Sequence, residues 1–536
     1  MENPQTAVVI GAGVAGLATA GLLARAGMDV TVVEKNSHVG GRADEITVDG
    51  FRFETGPSWY LMPEAFDHFF ELMGTSTAKE LDLQLLDPGY RVYSEGNLPI
   101  DIPQGKEQVA DLFESIEPGA GDSLREYLAS AADTYQVALD RFLYTTFSAF
   151  QPLLHKDVTS RLLTLAVLLT QSLKSYVERR FTDVRLRQIL QYPAVFLSSQ
   201  PKKAPSMYHL MSHTDLSLGV QYPQGGFSSI VKALERLALQ HGVEILTDTE
   251  VTGIISESGG SDPSGLAGRR GGATRAAGVR ALRNNEVLTI EADLVVAAGD
   301  LEHTESRLLP KSLRTYSKGH FDRTDPGMGV VLALLGVEGE LPQLLHHTLM
   351  FSQDWDDDFG VVYEGPQASR PEGSSHSIYI CKPSATDPSV APEGHENLFV
   401  LIPVAPDASI GHGNAYGEAG SEQVAAIVQR TIDQISEWAD IPDLEDRIVV
   451  KRSIGPADFA ERYYSFSAGA LGPAHILRQS AFLRGKNVSS KVENLFYAGQ
   501  TTVPGVGVPM CLISAENVLK RILDKKDSFP LESVHG

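Results

Sequence analysis

Three glycines at fixed offsets, Gly11, Gly13 and Gly16, stand between an apolar tetrapeptide (7–10, AVVI) and a run of helix formers that continues to about Ala26. Glycines there, with the small Ala15 among them, let the main chain come close to a pyrophosphate. The N-terminus of the adjoining helix stabilises its negative charge. Gly27 stops the helix, and DVTVV at 29–33 reads as a second strand ending at Glu34. A carboxylate about twenty residues past the glycines accepts hydrogen bonds from ribose hydroxyls, and its charge disfavours a 2′-phosphorylated nucleotide. A glycine triplet alone is a weak signal. Strand, triplet, helix, strand and acid in one unit make a dinucleotide site.

The residues just past the acid decide which dinucleotide. Gly40-Gly41-Arg42 comes where a nicotinamide-binding unit would continue its winding. It supplies further backbone contacts and a cation for a longer cofactor. Gly56-Pro57 adds a turn beyond it. On these residues the chain resembles the FAD-dependent amine oxidase and carotenoid desaturase superfamily, whose members follow the ribose acid with Gly-Gly-Arg and then a Gly-Pro turn. The resemblance implies FAD held by Gly11, Gly13, Ala15, Gly16, Glu34, Lys35, Gly41, Arg42, Gly56, Pro57 and Ser58. It also implies that the backbone of Val251 meets the adenine, with a plain core role for Val251 as the alternative.

A second strand–loop–helix lies near the C-terminus, NLFYAGQTTVPGVGVPMCLISAE at 494–516. Its strand, 495–498, ends at Gly499, a loop rich in Pro and Gly runs to Val508, and a helix starts near Pro509, a residue suited to a first helical turn. A helix N-terminus aimed at an isoalloxazine stabilises the charge that develops near N1 and O2 on reduction. Gly499, Gly507, Val508, Pro509 and Met510 are therefore assigned to the flavin end. This string and the block at 209–226, which ends in YPQGG, are similar to bacterial phytoene desaturases, and the resemblance covers nearly the whole chain. Two departures are Gly-Asp at 299–300, where the family commonly has Ala-Asp, and a longer loop at 258–274.

The scaffold that carries these residues is read from length and pattern. With 536 residues, two or three domains are expected. The expected fold is α/β. A Rossmann-like FAD-binding domain of the amine-oxidase type is drawn from 1–75, 222–310 and 450–536. It is interleaved with an α+β substrate domain from 76–221 and 311–449. After Gly225-Gly226, Ile230, Val231, Leu234 and Leu237 mark a helical face. The segment 243–246 reads as a strand with 251–255 as its continuation. The stretch 258–274, including Arg269 and Arg270, reads as a mobile hairpin tip, and Asn284-Asn285 as a turn between strands. The run 294–298 is apolar throughout, as in a strand buried on both faces. The segment 76–221 reads as mostly helical. The block 311–449 holds strands at 329–337, 376–382 and 397–404 and a helix carrying Val424, Val428, Ile432, Ile435 and Trp438.

Composition narrows the partners. Net charge −23 excludes nucleic acid and bulk attraction to anionic lipid. The two cysteines, Cys381 and Cys511, make no disulfide framework and fit no zinc spacing, so no metal is expected and a reducing cytoplasm is. No apolar run approaches the roughly 18 residues needed to span a bilayer. Locally the picture changes. The segment 161–177, RLLTLAVLLTQSLKSYV, reads as one apolar helix with a polar stripe through Arg161, Thr164, Gln171 and Ser175. Residues 174–203 then hold seven Lys or Arg against two acids. Such a pair of features suits the inner face of a membrane, and suits equally a buried helix with solvated basic neighbours.

The resemblance implies desaturation of phytoene, an apolar C40 isoprenoid, in a long apolar tunnel. Each new double bond loses a hydride to flavin N5 and a proton from the neighbouring carbon, and a quinone or oxygen takes up the electrons. His213 and Asp215 can supply a base and its orienting partner, or a structural histidine and a capping aspartate. Glu461, Arg462, Tyr463 and Tyr464 are a weaker group. Two other classes fit the same scaffold: a related flavoenzyme (a later-step carotenoid desaturase or oxidase, or an amine oxidase) and a non-catalytic prenyl-lipid binding protein.

Overall fold

The computed structural model describes residues 5–148, 155–258, 274–365, 369–417 and 419–535. The hairpin tip expected at 258–274, with Arg269 and Arg270, falls almost wholly outside them.

Five parallel strands form the nucleotide sheet, in the order Leu495–Tyr497, Leu294–Ala297, Thr6–Ile10, Asp29–Val33 and Glu244–Leu246. The continuous apolar runs are explained by cover on both faces. Ala7 and Val9 pack on the helices Val14–Arg25, Phe227–Gln240 and Val508–Ile522, whereas Val8 packs on Val251, Ile254 and Val279 of a three-stranded meander. Because the strands are parallel, their carboxyl ends lie along one edge of the sheet. The glycine triplet, Glu34, the 298–300 turn and Gly499 all emerge there, although they span nearly the entire sequence.

A second sheet has seven strands, ordered Ile448–Ile454, Gly329–Glu338, His395–Val404, Ile378–Cys381, His347–Phe351, Tyr90–Ser94 and Ile100–Ile102. Helix Glu422–Trp438 covers one face through Val424, Val428, Ile432 and Ile435. The other face, with Leu332, Leu349, Tyr379 and Phe399, joins a core built with the helical segment before Gly225.

Two expectations are corrected. The run 161–177 is two helices, Leu162–Thr170 and Leu173–Glu178, because Ser172 turns out of the helix and caps the second with its side chain, accepting from Ser175 N. Strand Thr249–Ser258 does not continue Glu244–Leu246. It leaves the parallel sheet and opens the antiparallel meander, where Asn284 and Asn285 make the next turn with φ of 52° and 66°. The segment 76–221 is mostly helical, as expected, and its short strands Tyr90–Ser94 and Ile100–Ile102 complete the seven-stranded sheet. Among the described residues no helix is long and apolar enough to cross a membrane.

Candidate active site

One cavity of about 660 Å³ runs from the edge of the nucleotide sheet to the inner face of the second sheet. Gly11, Gly13, Ala15, Glu34, Lys35, Gly41, Arg42, Gly56, Pro57, Ser58, Val251, Gly499, Gly507, Val508, Pro509 and Met510 all line it. Gly16 does not, and its place is structural. A Cβ there would stand 1.9 Å from the carbonyl oxygen of Gly11, so only glycine lets the helix close against the turn. Gly56 is set the same way, 1.9 Å from the carbonyl oxygen of Arg42.

At one end Glu34 is buried and held by three donors. The Ala12 N–H gives to Oε2 at 2.7 Å, while the main-chain N–H and side-chain amide of Asn36 give to Oε1 at 2.8 and 2.9 Å. The carboxylate is thus fixed at the strand end before any ribose arrives, with lone pairs to spare for its hydroxyls. Lys35 Nζ donates to the Glu461 carbonyl at 2.5 Å and lies 3.9 Å from the ring centre of Tyr464, which stacks on His303 at 3.9 Å. Burial lowers the Lys35 pKa. Arg462, Tyr463 and Tyr464, read from sequence as weak candidates for the chemistry, line this cavity along with Lys35 and Arg42.

Arg42 is the cation of the middle section. Nη2 donates to Ser465 Oγ at 2.5 Å, and its Nε is buried without a hydrogen-bond partner among the described residues. Burial lowers the guanidinium pKa and nearby Asp300 raises it. Asp300 is a site residue that the sequence reading misses. It caps the helix after its strand, accepting from Glu302 N at 2.9 Å and His303 N at 3.3 Å, and also accepts from Phe466 N at 3.1 Å. The Asp-Leu-Glu-His string after an apolar strand is an N-cap signal that would have located it. Among the described residues, neither helix N-terminus at the cavity, at Gly13 or at Gly507, has a side-chain cap. Uncapped N–H groups at two helix starts, an unpartnered guanidinium nitrogen and glycine turns that admit no Cβ fit a pyrophosphate-bridged flavin.

Beyond the cofactor section the wall turns apolar: Trp59, Tyr192, Phe196, Met211, Phe351 and Phe399. Few polar atoms face it. Tyr379 Oη lies 2.6 Å from Ser58 Oγ and 2.8 Å from His347 Nδ1, and Tyr208 Oη lies 2.9 Å from His475 Nδ1. Val506 N–H donates to His475 Nε2 at 3.2 Å, so the proton of this neutral imidazole is on Nδ1. Leu165, Leu169, Leu477, Phe482 and Leu483 also line the cavity, and the last three are exposed to solvent.

His213 and Asp215 are not brought together as an acid–base pair, and neither lines the cavity. They lie two residues apart on one helix, so their side chains diverge. His213 rests against the Tyr135 ring, whereas the buried Asp215 accepts from Tyr90 at 3.0 Å and from Tyr192 at 3.2 Å. Burial pushes the Asp215 carboxyl up to about 7, partly offset by the two tyrosine hydroxyls. The fold favours its acid form, so its cost to stability is absent below the ordinary aspartate range. The cost grows as pH rises through that range and is complete above about 7. Asp215→Asn is therefore expected to raise the thermal midpoint at pH 8 relative to wild type by more than at pH 5. Equal shifts at both pH values would overturn this.

Fold and site together define a flavoprotein with a dinucleotide cleft opening on an apolar chamber. The chain belongs to the flavin-containing amine oxidoreductase family, which matches residues 14–523. Within it the chain is 38% identical over 516 residues to a carotenoid 3,4-desaturase of Haloarcula japonica, covering 96% of this chain and 97% of that one. It is 32% identical to a zeta-carotene-forming phytoene desaturase of Myxococcus xanthus over 96% of this chain and 93% of the relative. Solved structures share the fold at low identity: a putrescine oxidase with TM-score 0.59 at 14%, covering 97% and 98%, and an oxidoreductase from Methanosarcina mazei with TM-score 0.58 at 17%, covering 96% and 100%. The protein is an FAD-dependent oxidoreductase of the carotenoid desaturase group.

Proposed function

We propose that the protein desaturates phytoene, introducing conjugated double bonds on the way to lycopene or a partly desaturated intermediate. The observation that carries this is the chamber, continuous with the cofactor cleft, whose walls offer a polyene shape and dispersion contacts but almost no polar handle. Bound FAD supplies the two-electron hydride acceptor, and a quinone or oxygen receives the electrons afterwards. Gly11, Gly13, Glu34, Lys35, Arg42, Gly499 and the helix start at Val508 would hold it. The chain's own part is orientation: Trp59, Tyr192 and Phe399 confine a hydrocarbon to one path and keep water from it. The 38% identical relative favours a second reading, a later-step desaturase acting on an already conjugated C40 carotenoid. Expression in one host that accumulates phytoene and another that accumulates lycopene separates the two. Pigment changing only in the first supports phytoene, only in the second supports the later step, and in neither host overturns both.

We also propose peripheral attachment at the inner face of the cell membrane, supported by exposed apolar side chains at the end of the chamber away from the cofactor cleft. Leu163 and Val167 on helix Leu162–Thr170 are 87% and 52% exposed, and Phe482 is 57% exposed. The basic segment contributes less than its count implies. Lys174 pairs with Asp356, Arg185 with Asp183, Arg187 donates to the Phe181 carbonyl, and Arg180 stacks on Tyr176. Apolar insertion should therefore outweigh charge. Leu163→Ser with Phe482→Ser is expected to abolish co-sedimentation with liposomes, and charge reversal at Arg179, Arg180, Lys202 and Lys203 to weaken it. Unchanged sedimentation of both variants would sink the attachment.

A further inference from the structure

One side-chain cluster takes no part in the chemistry of the cleft. His347 and Cys381 are register partners on the adjacent antiparallel strands His347–Phe351 and Ile378–Cys381, so their side chains leave the same face of the sheet. His346 precedes the first strand, its ring 4.6 Å from that of His347 at an angle of 74°. The three residues are 5%, 0% and 2% exposed. One ring nitrogen from each histidine and the cysteine sulfur all lie within 4.8 Å of one another.

The two imidazoles are tethered alike. His346 Nδ1 is 2.7 Å from Thr386 Oγ1, and His347 Nδ1 is 2.8 Å from Tyr379 Oη. In both rings Nε2 is buried and has no hydrogen-bond partner among the described residues. A ring nitrogen needs a partner whether or not it carries the proton, and stranding one in an interior destabilises the fold. Two orphaned nitrogens beside one thiol call for a common partner. A hydrogen bond on one nitrogen with the other left free is also how metal-ligating histidines are held.

We propose that His346, His347 and Cys381 bind one d10 transition cation, zinc(II) or copper(I), through the two Nε2 atoms and Sγ. Two imidazoles and a thiolate are soft to borderline donors that suit these ions and not calcium or magnesium. On binding, the Cys381 S–H bond breaks, its proton passes to solvent and a metal–sulfur bond forms, with no change of oxidation state. Asp387 and Lys382 both lie near enough to act on His346 with opposite charge, so the thiolate formed on binding is what balances the buried cation. The cation would brace the wall behind Tyr379 and Ser58, both of which face the chamber, and would join the strands at 347 and 381.

The test is the metal content of the full-length holoprotein, purified from zinc- and from copper-supplemented cultures and passed through gel filtration in a weak chelator. About one equivalent of zinc or copper per chain is expected, lost in Cys381→Ser and in His346→Gln. Cobalt(II) titration of the wild type should give a thiolate-to-cobalt charge-transfer band. Less than about a tenth of an equivalent of either metal together with no such band overturns the site, as does a folded variant that keeps as much metal as wild type. If circular dichroism shows both variants unfolded, the wild-type metal content and cobalt spectrum decide alone.

Discussion

Gly16→Ala is expected to yield a protein that purifies almost without flavin. The added Cβ would sit 1.9 Å from the Gly11 carbonyl oxygen and 3.4 Å from the Ala298 Cβ, with backbone and a packed strand end as neighbours. Neither can yield without opening the turn, and opening it pulls the Ala12 N–H away from Glu34 Oε2. Both the phosphate cradle and the preset carboxylate would be lost together. We expect FAD affinity to fall by about a hundredfold or more, equivalent to roughly 3 kcal/mol. The measurement is the flavin-to-protein absorbance ratio followed by FAD titration. Gly21→Ala, later on the same helix, meets only the flexible end of Met73 at 3.0 Å and should keep its flavin. A Gly16→Ala protein that holds one FAD with unchanged affinity would contradict a steric role for this glycine.

The second large effect is expected at Arg484, which the sequence does not advertise. Its guanidinium is buried and donates to four carbonyls: Thr502 at 3.1 Å, Pro473 at 3.1 Å, Gln479 at 3.2 Å and Gln500 at 2.6 Å. Burial lowers its pKa to about 10, so it remains charged at neutral pH, and no carboxylate among the described residues pairs with it. It ties the loop after Gly499, which lines the cofactor cleft, to the loop around Gln479. Arg484→Met would leave four carbonyls without a donor, at about 1 kcal/mol or more each, and would lower the thermal midpoint by on the order of 4 °C. Arg484→Lys, with three donors, should recover part of the loss. The Met variant should also bind FAD more weakly, because Gln500 and Thr501 face the cleft. A midpoint within about 1 °C of wild type would refute the role.

Much of the cofactor site is legible in the sequence because it is built from local rules. A strand–glycine–helix turn and a strand-end acid depend on residues a few positions apart, and their chemistry is printed in their order. Gly11, Glu34, Arg42 and Gly507 need no knowledge of the fold to be singled out. Asp300 is equally local, as an N-cap, but its proximity to Arg42 is not. His213 and Asp215 mislead for the converse reason. Closeness in sequence suggests a pair, and the helical twist separates them.

Residue order alone dictates that the chain winds around a dinucleotide twice, once near each end, since hydrogen-bonded strands, glycine turns and helix starts are consequences of short-range sterics and periodicity. The surroundings of that cofactor are set at the tertiary level. Parallel pairing brings residues 11, 34, 299 and 499 to one edge. Sheet register sets His347 against Cys381, 34 positions apart, where no spacing rule applies. Packing of loops from 473 to 502 places a buried cation under the flavin turn. These contacts arise between segments whose mutual approach is decided by how whole faces bury their apolar area, and no local pattern encodes it.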